Sequence, residues 1–215
     1  CCISSQAEAE LAVACGADAI GLVSAMPSGP GVIGEELIAS IAETVSSSTQ
    51  TFLLTSCRNA EEIATQQKRC HTNTVQICDR LENSAYLHLR KSLPGIALVQ
   101  VIHVRDEKSV EEAAAIAPSV DALLLDSGNQ SLAIKELGGT GRVHDWNLSR
   151  VICQRVAIPV FLAGGLNAAN VGEAIATVRP FGVDVCSGVR SGGKLNEEKL
   201  RKFVSEIRSA QSLIS

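Results

Sequence analysis

Val160-Phe161-Leu162-Ala163-Gly164-Gly165-Leu166-Asn167 and, a little further on, Gly182-Val183-Asp184-Val185-Cys186-Ser187-Gly188-Val189 carry the reading of the fold. Each is a short apolar run ending in glycine, the pattern of a buried strand that breaks into a tight loop. Runs of this kind alternate with amphipathic segments along the whole chain. The strand candidates are Cys1–Ile3, Ala19–Val23, Thr51–Leu54, Thr74–Ile77, Ala97–Ile102, Ala122–Leu125, Val160–Leu162 and Gly182–Cys186, eight in all. Strands that alternate with helices form a parallel sheet, because parallel neighbours need a crossover connection. A doubly wound open sheet would carry its glycine loop after the first strand, where this chain reads Cys2-Ile3-Ser4-Ser5. A (β/α)8 barrel commonly builds an anion site from the loops after strands seven and eight, and the glycines stand there. The expected fold is α/β: a single (β/α)8 TIM barrel domain of parallel strands over residues 1–215, its first strand truncated at the N-terminus.

Helix starts support the alternation. Ser5-x-x-Glu8 and Asn59-x-x-Glu62 have capping-box spacing, Asn167 and Asn196 are candidate N-caps, and Gly16 is a candidate stop for the first helix. The 215 residues suffice for one well-buried core, with 46% hydrophobic and 20% charged residues. Net charge is −4 and only 3% of residues are aromatic, so neither a basic stripe nor a stacking platform for nucleic acid is present. No apolar run reaches the ~18–20 residues of a membrane span. The eight cysteines contain no C-x-x-C and lie in apolar segments, which reads as reduced thiols packed as small hydrophobes rather than a disulfide framework or a zinc site. The absence of a leader pattern points to the cytoplasm.

Glycine lets a backbone N–H approach an anion closely, and a helix start adds partial positive charge. Gly164-Gly165 and Ser187-Gly188 would be neighbours in a barrel, so their amides converge on one phosphate; either loop alone reads equally as an ordinary turn. A third glycine run, Gly138-Gly139-Thr140-Gly141, lies after the sixth strand. Strand alternation puts Ala122, Leu124 and Asp126 on one face, with Asp126 at the carboxyl end where barrel enzymes keep catalytic groups. The same aspartate would also serve as a loop or cap residue. Cys1 ends the first strand and is either a buried apolar residue or a thiol proton acceptor. His103 and His144 are candidates to orient a substrate or tune the thiol.

The order of these motifs resembles the phosphoribosylanthranilate isomerase family, aldose–ketose isomerases of tryptophan biosynthesis. That family opens on K-x-C-G, with a G-A-D motif fifteen positions after the cysteine. Here Cys1 leads to Gly16-Ala17-Asp18 at that spacing, and Cys2 takes the place of the family's glycine. Asn73-Thr74-Val75-Gln76, Leu124-Leu125-Asp126, Asp145-Trp146, Ala163–Val171 and Arg179–Val189 extend the match over essentially the whole chain. The resemblance implies that Cys1 is the general base and Asp126 the general acid of an Amadori rearrangement. It implies phosphate held by the backbones of Gly164, Gly165, Ser187 and Gly188, with Asp184 near the bound amine. It calls for no metal and no cofactor. The partner is a phosphorylated small molecule, with no nucleic acid or membrane, and the chain is a monomer or homodimer.

Departures fall at the mouth. The family's arginine in the loop after the second strand has no counterpart in Ser24–Val32, a histidine is lost at Cys78, and Arg190 replaces an acid. Arg58 and Arg190 are the candidates to hold the anthranilate carboxylate instead. Two readings follow: an isomerase acting on phosphoribosylanthranilate or a close phosphoribosylamine, and a sugar-phosphate-binding or regulatory barrel that has lost the activity.

Overall fold

The computed structural model describes residues 1–128, 137 and 141–212. Helices and strands alternate along it: α1 (Gln6–Ala14), β1 (Ala19–Val23), α2 (Glu35–Thr44), β2 (Gln50–Thr55), α3 (Ala60–Cys70), β3 (Thr74–Ile77), α4 (Asn83–Ser92) and β4 (Ala97–His103). They continue as α5 (Glu107–Ile116), β5 (Ala122–Asp126), α6 (Trp146–Arg155), β6 (Val160–Leu162), α7 (Val171–Val178) and β7 (Gly182–Val183). The hairpin β8 (Arg190–Ser191) and β9 (Lys194–Leu195) precedes the last helix, α8 (Glu197–Ser212). β1 to β7 form one sheet in chain order, with every pairing parallel.

The period of two along each strand divides the core into two layers. Leu53, Ile77, Leu98, Leu123 and Leu125 pack outward with the buried helix residues. Leu54, Val99, Val101, Ala122 and Leu124 pack inward, and Val23 of β1 joins Ala163, just after β6, in that same inner cluster. Residues from distant strands thus meet on one face, which requires the sheet to curl. Among the described residues no helix is long and apolar enough to cross a membrane.

The first and last strand candidates are shorter than the sequence predicts. Cys1–Ile3 lies between β1 and the residues after β7: Ile3 N–H donates to Gly21 O at 3.0 Å, and the backbone nitrogen of Cys1 donates to Val185 O at 2.9 Å. Cys2 between them has φ 61°, a left-handed conformation that interrupts a ladder, so no strand forms. Asp184 N–H still bonds Leu162 O at 2.9 Å, but Ser187–Val189 then winds into a short helical turn that ends the eighth candidate early.

Caps behave largely as expected. Ser5 Oγ accepts from Glu8 N–H, Asn59 Oδ1 accepts from Glu61 and Glu62, Asn196 Oδ1 accepts from Lys199, and Gly16 follows α1 at φ +96°. Asn167 differs, because it closes a turn on Ala169 N–H and leaves Asn170 before α7.

Glu8 does more than cap. It accepts from Arg190 Nη1 and Nη2 at 3.0 Å each, from Leu195 N–H at 2.8 Å and from Ser4 N–H at 3.0 Å. Burial would raise its carboxyl, but those bonds outweigh it and hold the group at about 2. The folded value lies below the ordinary one, so the pair's contribution is present above about pH 4.5 and is lost as pH falls toward about 2. Glu8→Gln leaves a buried guanidinium uncompensated and is expected to destabilise the chain by about 3 kcal/mol, or roughly 10 °C in Tm. Thermal melts at pH 7 and pH 3 check this: the gap from wild type shrinks at pH 3, whereas a Tm at pH 7 unmoved by the substitution contradicts it.

Candidate functional site

Asp126 ends β5 on the inner face and is 8% exposed. Ser127 N–H donates to its Oδ1 at 2.6 Å. Burial nevertheless dominates and lifts the carboxyl above its ordinary range, which favours a protonated group that can act as an acid. His103 ends β4 and pairs with Asp126 in register. Its Nε2 lies 3.1 Å from Cys78 O, and a carbonyl only accepts, so the proton sits on Nε2. Burial lowers its pKa and keeps it neutral. His144 Nε2 lies 2.7 Å from Ser149 Oγ, and burial pulls the ring down to about 4. A Cβ built on Gly164 would stand 3.1 Å from both Asp126 Oδ1 and His144 Nδ1. Carboxyl, imidazole and glycine loop therefore share one corner.

Cys1 faces the same space. Cys1, Gln76, Cys78, Leu124, Asp126 and Asp184 line a cavity of 50 Å³ together with the segment from Met26 to Pro30. A larger cavity of 420 Å³ runs toward the opposite end between Ile20, Phe52, Phe161, Phe181 and Phe203. Its walls are mostly apolar; it shares Cys1, Gln76, Leu124 and Asp184 with the smaller cavity but does not reach Asp126, so it is the smaller one that brings Cys1 and Asp126 together.

The two glycine loops meet. Gly164 and Gly165 have φ +83° and +65°, and a Cβ on Gly188 would fall 2.0 Å from Leu166 O. That backbone contact joins the loop after β6 to the turn Ser187–Val189. Gly141 adjoins them, with its virtual Cβ 3.7 Å from Ser187 Oγ; Gly138, Gly139 and Thr140 lie outside the described residues. Gly188→Ala must push the loops apart. The expected result is a KM raised at least about tenfold with a stability loss of about 1–3 kcal/mol, read from steady-state kinetics and melting. An unchanged KM would show that the loops do not hold the substrate.

The charged candidates divide. Asp184 lines the small cavity and accepts from the Cys1 nitrogen at 3.0 Å. Arg58 stands on the rim after β2, exposed, with Nε 3.9 Å from Asp79 and 3.4 Å from Arg80 O. Arg190 is committed elsewhere: its guanidinium bonds Glu8, Cys2 O and Gly193 O, anchoring the N-terminal segment to the hairpin. The expectation that it reaches a substrate carboxylate gives way to that structural role.

Cys2 breaks the period of two. Simple alternation would turn it toward the helices when Cys1 points inward. Its left-handed backbone instead places it in the inner cluster, with its Sγ 3.8 Å from Cys1 Sγ. A hydrogen bond from the Cys2 thiol, with the Cys1 nitrogen and Arg190 beside it, pulls the Cys186 thiol below its ordinary value. The eight cysteines form no disulfide. Sequence reasoning also passed over Arg142, whose backbone carbon would lie 2.7 Å from a Cβ on Gly165; its place directly after Gly141 was the available signal.

A model of the family described as N-(5'-phosphoribosyl)anthranilate (PRA) isomerase matches residues 5–206. The chain is 36% identical to N-(5'-phosphoribosyl)anthranilate isomerase 2 of Methanosarcina mazei, with 97% of this chain and 92% of that protein covered. It is 33% identical to the isomerase of Methanocella arvoryzae, with 93% of each covered. Among solved structures, phosphoribosyl anthranilate isomerase from Thermotoga maritima superposes with a TM-score of 0.81 at 28% identity, covering 97% of each chain. A phosphoribosyl anthranilate isomerase in complex with reduced 1-(o-carboxyphenylamino)-1-deoxyribulose 5-phosphate gives 0.81 at 25% identity over 97% of this chain and 96% of that one.

Proposed function

The chain belongs to the N-(5'-phosphoribosyl)anthranilate isomerase family and is an isomerase of that type in tryptophan biosynthesis, and we propose that Cys1 and Asp126 are its general base and general acid. The observation that carries the reading is the single cavity lined by both residues beside two glycine loops in backbone contact. Asp126, protonated because it is buried, donates to the furanose ring oxygen and opens the ribosylamine to a Schiff base. The Cys1 thiolate then removes the C2 proton, and the enolamine tautomerises to the 1-deoxyribulose phosphate. Neutral His103 and His144 flank the acid without adding a charge that would ionise it. The amides of Gly164, Gly165, Ser187 and Gly188 hold the phosphate. Asp184 sits near the amine.

The sheet is read as a barrel closed by Cys1–Ile3, whose bonds to Gly21 and Val185 reach both neighbours, making the chain one domain. A small cytoplasmic enzyme, monomeric or homodimeric, is the form this supports. A cavity of 50 Å³ is far below the ~300 Å³ or more of an ordinary ligand pocket, so the segment from Met26 to Pro30 moves aside to admit substrate. Arg58 is the rim cation that meets the anthranilate carboxylate. Arg58→Ala is expected to raise KM about tenfold with kcat held, the loss of ~1.5 kcal/mol for one charge-assisted bond; an unchanged KM assigns the carboxylate elsewhere. Expression in a tryptophan auxotroph lacking this isomerase tests the function: growth without tryptophan is expected, and failure of the soluble protein to support it would favour a phosphate binder.

A further inference from the structure

The inner end of the site gathers three sulfurs. Cys1, Cys2 and Cys186 place their Sγ atoms all within 4.8 Å of one another, with Cys1 and Cys2 3.8 Å apart and no disulfide between any of them. Thiolate–metal bonds of about 2.3 Å in a trigonal plane set sulfurs about 4.0 Å apart, so bringing the sulfurs, all within 4.8 Å of one another, closer by less than about 1 Å would complete a three-sulfur site. We propose that Cys1, Cys2 and Cys186 form a binding site for a monovalent copper ion, and that filling it withdraws Cys1 from isomerisation.

Ligand chemistry and number select the ion. All three donors are soft, which favours copper(I) over oxygen-seeking cations. Zinc closes its structural sites on four ligands, and among the described residues no fourth histidine, cysteine or carboxylate joins this group. The backbone is shaped for the cluster. The left-handed φ of 61° at Cys2 brings neighbouring thiols to one side, where alternation would have separated them. Gly31 makes room for it, since a Cβ there would fall 2.6 Å from Cys2 Cβ, and Gly21 does the same for Cys1 at 2.9 Å. Charge is also met. One copper(I) displaces three thiol protons and leaves a complex of net charge −2, and the Arg190 guanidinium lies beside Cys186 and bonds Cys2 O.

The effect on turnover rests on Cys1 being the catalytic base, whereas the binding does not. The test is an anaerobic titration of the full chain with copper(I) against a chromogenic copper(I) chelator. Wild type, Cys2→Gly and Cys186→Ser are compared, and phosphoribosylanthranilate turnover is measured on the same samples. Wild type should hold one ion that the variants lack. Removing a ligand should weaken that site by at least about 100-fold, more than loss of an outer-shell partner usually does. Turnover of wild type should fall with the first equivalent and return when excess chelator strips the copper, while the turnover each variant retains should be unaffected by copper. Equal copper affinity in wild type and both variants would overturn the site, because binding would then reside in the other five cysteines. A zinc titration showing the same three-thiol dependence, with copper showing none, would overturn the choice of ion. Copper held at the three thiols without loss of turnover would overturn the inhibition. If the wild type has no turnover, the affinity comparison still decides whether the site exists.

Discussion

Asp126→Asn is expected to lower kcat for phosphoribosylanthranilate by about 10²–10⁴-fold, the usual contribution of a positioned general acid. The amide keeps the shape and can still sit against Ser127 and Gly164, but it has no proton to deliver to the ring oxygen. Binding of a reduced product analogue should change only a few-fold, since the phosphate loops do not include Asp126. Stability should move the other way. Burial raises the folded pKa of Asp126 above its unfolded value, so the folded state holds its proton longer than the unfolded chain does. Wild-type stability therefore falls as pH rises from the unfolded pKa through the folded one. The asparagine variant lacks that loss, and its Tm at pH 7 should equal or exceed wild type. A variant that is both inactive and strongly destabilised would mean that Asp126 holds the loop rather than the proton.

Cys1→Ser is expected to be nearly as damaging, again about 10²-fold or more in kcat, because a hydroxyl is a far weaker proton acceptor at neutral pH than a thiolate. Wild-type kcat/KM should rise with pH as the thiolate forms and fall as Asp126 loses its proton. The residual activity of Cys1→Ser should lose the rising limb, and that of Asp126→Asn the falling one. Profiles of the two variants that keep the same shape as wild type would assign proton transfer to other groups. Neutral His103 and His144 would then be next in reach of the reacting atoms.

The sequence made the parallel sheet legible because its strands are buried on both faces and read as short apolar runs between caps and glycines. Asp126 was legible for the same reason: two residues beyond Leu124, a period of two leaves no other direction. The approach of the loop after β6 to the turn Ser187–Val189 follows from adjacent strands, and a Cβ on Gly188 would fall 2.0 Å from Leu166 O. Conformation at single residues was not legible. Nothing in the letters Cys1-Cys2-Ile3 announces φ 61° at Cys2, and that one dihedral ends the strand and turns a second thiol inward. Partners distant in sequence were equally hidden. Arg190 finds Glu8, and Cys186 finds Cys1 and Cys2, across nearly the full length of the chain. The three sulfurs therefore carry no short metal-ligand spacing in the sequence. Arg58 was legible as a rim residue but not as an exposed one beside Asp79.

The most direct test of the account is a crystal structure of the chain with the reduced product analogue bound. The phosphate should lie between Gly164-Gly165 and Ser187-Gly188, with Cys1 Sγ and the Asp126 carboxyl on opposite sides of the sugar. Each should be within hydrogen-bonding reach of the atoms it is assigned, and the segment from Met26 to Pro30 should be displaced. A phosphate seated instead against Gly138–Gly141 alone, or a sugar with Cys1 and Asp126 both out of reach, would contradict the mechanism.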